Sequence, residues 1–238
     1  MKVQSLWIGN KLSNLELLTI NSFLKNQIEF DLYTYEPIIN LPENVNIKDG
    51  NMILPKSEIF AYKTGKGKGS FSAFSNIFRY KLLYDQGGIW VDMDLVCLKH
   101  FTLKNEYTFA SEINDQKKQN VASCFIKAPK NSDIFKWAYE KSITYDKNTL
   151  EWSVIGPKLL SEAINKFKLN KYIKDYKTFC PIGFKDWKKV LDKNNNIIID
   201  NSVCIHLWNE KWRRGGADKN SDFDKDCFYE KLKTNYLS

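Results

Sequence analysis

An α/β fold, with a central, mostly parallel sheet flanked by helices, is predicted for this chain by three observations. The first 35 residues read as strand, helix, strand; a helix-forming block further on ends at Gly87-Gly88; and an apolar, strand-like run follows it at once. Alternation of this kind is how a chain covers both faces of a sheet. With 238 residues, 43% of them hydrophobic and 14% aromatic, the chain has material for one domain-sized core. A single domain over 1–238 is therefore expected, without internal repeat or linker.

The elements follow in order. Residues 3–9 read as a short buried strand closed by Gly9-Asn10, a turn signal. Ser13-Asn14-Leu15-Glu16 fits a capping box, and Leu15, Leu18, Phe23 and Leu24 lie on one face of a helix running to about Lys25. Residues 28–32 alternate with the period of a strand. Residues 40–69 read as loop with a short strand at 52–54, and the glycines of 65–69 match neither phosphate-loop pattern. Phe71, Phe74, Phe78 and Leu82, with Ile77 beside them, recur at helical spacing up to the Gly87-Gly88 stop. Strands are expected at 107–110 and 123–126, helices at 132–143 and 158–167 with a break at Ile155-Gly156-Pro157 between them, and a last strand at 202–209.

Composition narrows the class. No uninterrupted apolar stretch approaches the ~18–20 residues of a membrane span, and the first nine residues turn polar too early for a signal peptide. A cytoplasmic protein is expected, with peripheral contact to the inner face of an anionic membrane left open by its net charge of +8. Of 36 basic residues only Arg79, Arg213 and Arg214 are arginines, which suits scattered solvated lysines better than a nucleic-acid face, so no nucleic-acid partner is expected. Five cysteines without a CxxC pair predict neither a disulfide framework nor a zinc finger. Most should pack as small hydrophobes.

The chemistry concentrates in Ile89-Trp90-Val91-Asp92-Met93-Asp94-Leu95-Val96-Cys97-Leu98. An ionised carboxylate buried without a partner costs several kcal/mol or more, so two of them in an apolar run require a cation or an edge. In an extended segment, residues two apart face the same side. Asp92 and Asp94 are thus predicted to meet at a divalent metal, which His206, the better placed of two histidines, could join. Arg79 and Asn76, one turn apart on the helix before Gly87-Gly88, share the neighbouring helix face.

The block from Phe71 to Asp94 resembles the sugar-binding and DXD region of the glycosyltransferases related to initiating mannosyltransferases, alpha-1,4-galactosyltransferases and capsular-polysaccharide transferases. It is also similar to that of the large clostridial glucosylating toxins. Leu6-Trp7-Ile8-Gly9, Gly156-Pro157 and His206-Leu207-Trp208-Asn209 resemble the family's other signatures. The resemblance implies a GT-A nucleotide-diphospho-sugar transferase fold, with residues 1–100 mainly binding the nucleotide-sugar and 101–238 forming the acceptor side and a C-terminal lid. It implies a divalent ion, manganese before magnesium, held by Asp94 and shared by Asp92. Leu6, Trp7 and Ile8 would lie along the base, and Arg79 and Asn76 would meet sugar hydroxyls. The relatives often carry an acidic residue where this chain has Asn76.

Trp208 and Trp212, beside Arg213-Arg214-Gly215-Gly216, are either core residues or part of a loop that closes over the donor with a basic group on its diphosphate. The expected activity is retaining transfer of a hexose or N-acetylhexosamine, from a UDP-sugar by preference, to a glycan or lipid-linked glycan in surface polysaccharide or lipopolysaccharide synthesis. Two other classes use the same residues. A metal-dependent nucleotidyl or phosphoryl transferase needs the aspartates but not Arg79, and a basic RNA-binding module would show salt-sensitive binding with structural aspartates.

Overall fold

The computed structural model describes residues 1–114 and 116–237. The central sheet has six strands in the order β3-β2-β1-β4-β7-β6. β1 (Lys2–Leu6), β2 (Glu29–Thr34), β3 (Asn46–Asp49) and β4 (Gly88–Val91) run parallel, whereas β6 (Thr108–Ile113) and β7 (Gln119–Ala128) form an antiparallel hairpin at the far edge. β1 is central because both flanking connections return to it, pairing Lys2 with Glu29 and Gln4 with Trp90.

Helix α1 (Asn14–Lys25) connects β1 and β2, and Glu16 accepts the Ser13 amide at 2.8 Å as the capping pattern requires. Helix α2 (Ser72–Asp85) precedes β4, and α3 (Asp133–Ser142) and α4 (Leu159–Lys166) follow the hairpin. The pleat sends alternate residues of β4 to opposite faces. Trp90 enters the core shared by α2, α3 and α4, while Ile89 and Val91 enter the one that α1 covers. Cover on both faces explains why the run at 89–98 is apolar without alternation.

A smaller antiparallel sheet joins β5 (Leu95–Cys97) to β8 (Cys204–His206), pairing Leu95 with His206. The short α5 (Asn209–Gly215) and α6 (Phe228–Tyr236) pack Trp212 and Tyr229 into a third apolar cluster beneath it.

Two expectations shift. The strand placed at 52–54 is instead a 3-10 turn at Gly50–Met52, and β3 lies just before it, where polar Asn46 to Asp49 pair with β2 as an exposed edge that hydrophobic periodicity does not reveal. Phe71 lies ahead of α2 and is 42% exposed, while Phe74, Ile77, Phe78 and Leu82 are buried as expected.

Gly87-Gly88 turns the chain from α2 into β4. Gly87 sits at φ +66°, and a Cβ there would lie 2.4 Å from the Lys130 backbone nitrogen. Neither the left-handed backbone nor this contact can relax through a flexible side chain. Gly87→Ala is expected to cost at least about 1–3 kcal/mol, read as a lowered urea midpoint at unchanged slope.

Candidate functional site

The two aspartates leave the carboxyl end of β4 in a tight turn closed by the Leu95 amide donating to the Asp92 carbonyl at 3.2 Å. The extended conformation expected here is therefore replaced by a reversal, because β5 must cross to pair with β8 instead of continuing β4. The carboxylates nonetheless converge. Ligand atoms of Asp92, Asp94 and His206 lie within 4.8 Å of one another.

Asp92 is positioned from two sides. Its amide donates to the Cys124 carbonyl of β7 at 2.9 Å, and its Oδ1 accepts from Trp90 Nε1 at 2.8 Å and pairs with Arg79 Nη1 at 3.0 Å. Arg79, 3% exposed, reaches across from α2 with its guanidinium 4.8 Å from the Trp90 ring centroid. Nη1 also donates to the Ser123 carbonyl at 2.6 Å, while Nε and Nη2 donate to the Ser75 carbonyl and hydroxyl. Most of the guanidinium's donors are spent on the protein, with one Nη2 hydrogen left over. Arg79 thus holds Asp92 and the middle of β7 more than it offers itself to a ligand.

Asp94 is fixed by β8 and α5. Its Oδ1 meets His206 Nε2 at 3.0 Å, its Oδ2 accepts the Asn209 amide at 2.7 Å, and its carbonyl accepts the Leu207 amide. Burial opposes ionisation, but the charge and hydrogen bond of His206, with the Asn209 amide, hold the Asp94 carboxyl below the usual carboxylate range. His206 is raised well above an ordinary imidazole, since Asp94 outweighs the burial that would lower it. Asp92 moves the other way, lifted by burial despite Arg79. One carboxylate is thereby committed to its negative charge, and its neighbour is costly to ionise without a further cation.

That pattern fits a divalent ion. Two carboxylates and an imidazole make a mostly hard donor set, and an added positive charge would stabilise both acids ionised.

The remaining expected residues lie around this turn. Leu6 is in the core, whereas Trp7 and Ile8 are half-buried at the carboxyl end of β1, with Trp7 Nε1 donating to the Lys11 carbonyl. Asn76 is buried, and its amide fills the space a Cβ on Gly156 would need, 2.9 Å away. Trp208 packs against His206 at 4.1 Å between ring centroids and donates Nε1 to the Ile182 carbonyl. Arg213 pairs with Glu210 at 2.8 Å and donates to the Lys68 carbonyl at 3.1 Å, tying α5 to the turn at Gly65–Gly67. Arg214 lies over Trp152.

Glu112 was not expected. It occupies the next-to-last pair of the hairpin, opposite Asn120, where β7 runs past the end of β4. Its side chain lines a cleft of about 620 Å³ with Gln119, Asn120, Ser153, Lys158 and Ser161. Burial, then the nearby Cys180, push its carboxyl up to about 7, while His206 lowers it. The signal in the sequence was the one the aspartates gave, an acid inside an apolar strand, but a single acid shows no spacing.

Similarity to known proteins agrees with this geometry. Residues 17–118 match the family described as the glycosyltransferase sugar-binding region containing a DXD motif. Residues 138–236 match the alpha 1,4-glycosyltransferase conserved region. Among solved structures, PaToxG glycosyltransferase is similar with a TM-score of 0.51 and 17% identity, over 70% of this chain and 69% of that one. A chain described only as a transferase has a TM-score of 0.44 and 11% identity, over 74% and 87% of the two chains. No curated protein sequence matches.

Proposed function

We propose that this chain, which matches the glycosyltransferase sugar-binding region containing a DXD motif and the alpha 1,4-glycosyltransferase conserved region, is a glycosyltransferase of the GT-A fold that moves a hexose or N-acetylhexosamine from a nucleoside-diphosphate sugar, UDP by preference, to a glycan hydroxyl with retention of configuration. The observation that carries this reading is the convergence of Asp92, Asp94 and His206 at the end of β4. The two carboxylates, with His206 orienting Asp94, would hold a divalent ion, manganese before magnesium, whose charge stabilises the diphosphate as the glycosidic bond breaks.

The sheet order supports an arrangement of substrates. Trp7 and Ile8 end β1 on one side of the aspartates, where a base would lie, and the β6–β7 hairpin with its cleft stands on the other. Gln119, Asn120, Ser153 and Ser161 are suited to sugar hydroxyls, so the cleft takes the acceptor glycan. Glu112 then accepts a hydrogen bond from the attacking hydroxyl, and the departing phosphate takes the proton on the same face. The two aspartates are committed to Arg79 and His206 and sit in one turn, which disfavours the acid and base pair of a glycoside hydrolase. α5 and the turn at Gly65–Gly67, joined through Arg213, form the wall that closes over the donor.

The wider role follows from chemistry and charge. An acceptor on a lipid-linked glycan or surface polysaccharide is consistent with a net charge of +8, which favours an anionic membrane surface. Among the described residues no helix is long and apolar enough to cross a membrane.

The deciding experiment is a screen of UDP- and GDP-sugars by thermal shift and slow donor hydrolysis, with and without manganese. A UDP-sugar should raise the melting temperature only with metal present. If no nucleotide-sugar does so, or if hydrolysis ignores the metal, the donor reading fails. For Glu112, the rate with acceptor should rise with pH through about 7 as its carboxylate forms. Glu112→Gln should flatten that limb and lower kcat by roughly 10–100-fold, the worth of a charge-assisted hydrogen bond, while donor hydrolysis persists, and an unchanged profile would remove Glu112 from the site.

A further inference from the structure

We propose that Cys124, Cys180 and Nδ1 of His206 form a second, buried binding site for one thiophilic divalent cation, zinc by its chemistry. Cys124 lies on β7 beneath the aspartate turn, and Cys180 follows the short turn at Tyr176–Thr178. Phe125 and Phe179, each next to one of them, stack at 4.1 Å and hold the two segments together. The two sulfurs are 3.4 Å apart, and the ligand atoms of Cys124, Cys180 and His206 all fall within 4.8 Å of one another. Two Zn–S bonds of about 2.3 Å at tetrahedral angles put their sulfurs roughly 3.8 Å apart, so a small opening accommodates the ion.

The histidine points to a ligand independently of the thiols. His206 is 8% exposed, its buried Nδ1 makes no well-formed hydrogen bond among the described residues, and besides Asp94 it interacts with the Cys180 thiol. Its other nitrogen already faces Asp94 Oδ1 at 3.0 Å. A metal-bound histidine characteristically donates its second ring N–H to a carboxylate, which fixes tautomer and orientation. Asp94 and His206 have that arrangement, with the metal position on the thiol side.

Ligand softness sorts two ions. Thiolates select zinc over manganese, and the carboxylates of Asp92 and Asp94 suit the harder ion. Zinc displaces both thiol protons to solvent and leaves the imidazole one proton, on Nε2. With zinc bound, His206 therefore serves Asp94 as a donor, and the donor-site ion rests on the two carboxylates.

The test uses the whole chain, stripped with a chelator and reloaded with zinc chloride under reducing conditions without nucleotide. Metal analysis after desalting should give one zinc per chain. Affinity should fall at least tenfold in Cys124→Ser and in Cys180→Ser, and should survive Asp92→Asn. Because a serine variant could fail to fold, cobalt(II) is added to the unaltered protein, where a near-ultraviolet thiolate-to-cobalt band is expected. Absence of both bound zinc and that band overturns the site, as does zinc retained at full affinity by both folded serine variants. Zinc lost on Asp92→Asn but kept by the serine variants would place the ion at the carboxylates and equally overturn it. None of these readouts depends on the donor sugar, so the proposed transfer stands or falls separately.

Discussion

Asp94→Asn is expected to lower metal-dependent donor turnover by about 10³-fold. An ion that neutralises a leaving diphosphate is worth several kcal/mol in the transition state, and each 1.36 kcal/mol is about tenfold in rate. Asparagine keeps the size and an oxygen for the Asn209 amide, but it removes the charge that pairs with His206. Initial rates across a manganese titration check this, and a variant that regains full rate at saturating metal would show that Asp94 only shapes the turn.

The same substitution has a pH signature in stability. His206 is held above its ordinary value of 6.5, so the folded state binds its proton more tightly than the unfolded chain does. That contribution is fully present below about 6.5 and is lost as pH rises through the raised value. Asp94, held below 3.8, contributes above that value and loses its contribution as pH falls through its lowered one. For the metal-free proteins, the melting temperature of Asp94→Asn should therefore lie furthest below that of the parent in mildly acidic to neutral solution. The gap should narrow at more alkaline pH, once His206 is neutral in both proteins.

Arg79→Ala should act chiefly on folding, by about 3–5 kcal/mol, the cost of leaving one partner of a buried ion pair alone. In a chain of this size that is roughly a 10 °C fall in melting temperature. The guanidinium meets Asp92, the Ser123 carbonyl and Ser75, and it covers Trp90. Its loss leaves a mostly buried carboxylate and an unpaired carbonyl together. Adding Asp92→Asn should recover part of the loss, because the stranded charge is then removed. If the two single effects simply add in chemical denaturation, the pair is not what holds α2 to the turn.

Legibility followed the physics of each element. α1 and α2 were visible because apolar residues at helical spacing, a capping box and Gly87-Gly88 are local signals. β3 was misplaced because its pairing with β2, not its own polarity, makes it a strand. The convergence of Asp92 and Asp94 was anticipated on an incorrect backbone, since no local signal says that β5 leaves the main sheet for β8. His206 was singled out as one of two histidines, and the pairing of Leu95 with it across β5 and β8 is what sets it beside Asp94.

 

By itself, the amino-acid sequence determined the α/β class, the helix that ends at Gly87-Gly88, and the presence of two carboxylates that could not stay buried without a cation. Those are properties of local spacing and of the cost of taking charge out of water. Only the tertiary structure decided that Arg79 is spent on Asp92, that His206 meets Asp94 and comes within 4.8 Å of two thiols, and that Glu112 lines the cleft. The places of His206 and Glu112 depend on strand register, and that of Arg79 on how α2 packs against β4 and β7; both are set by the packing of the sheet faces, which no single segment encodes.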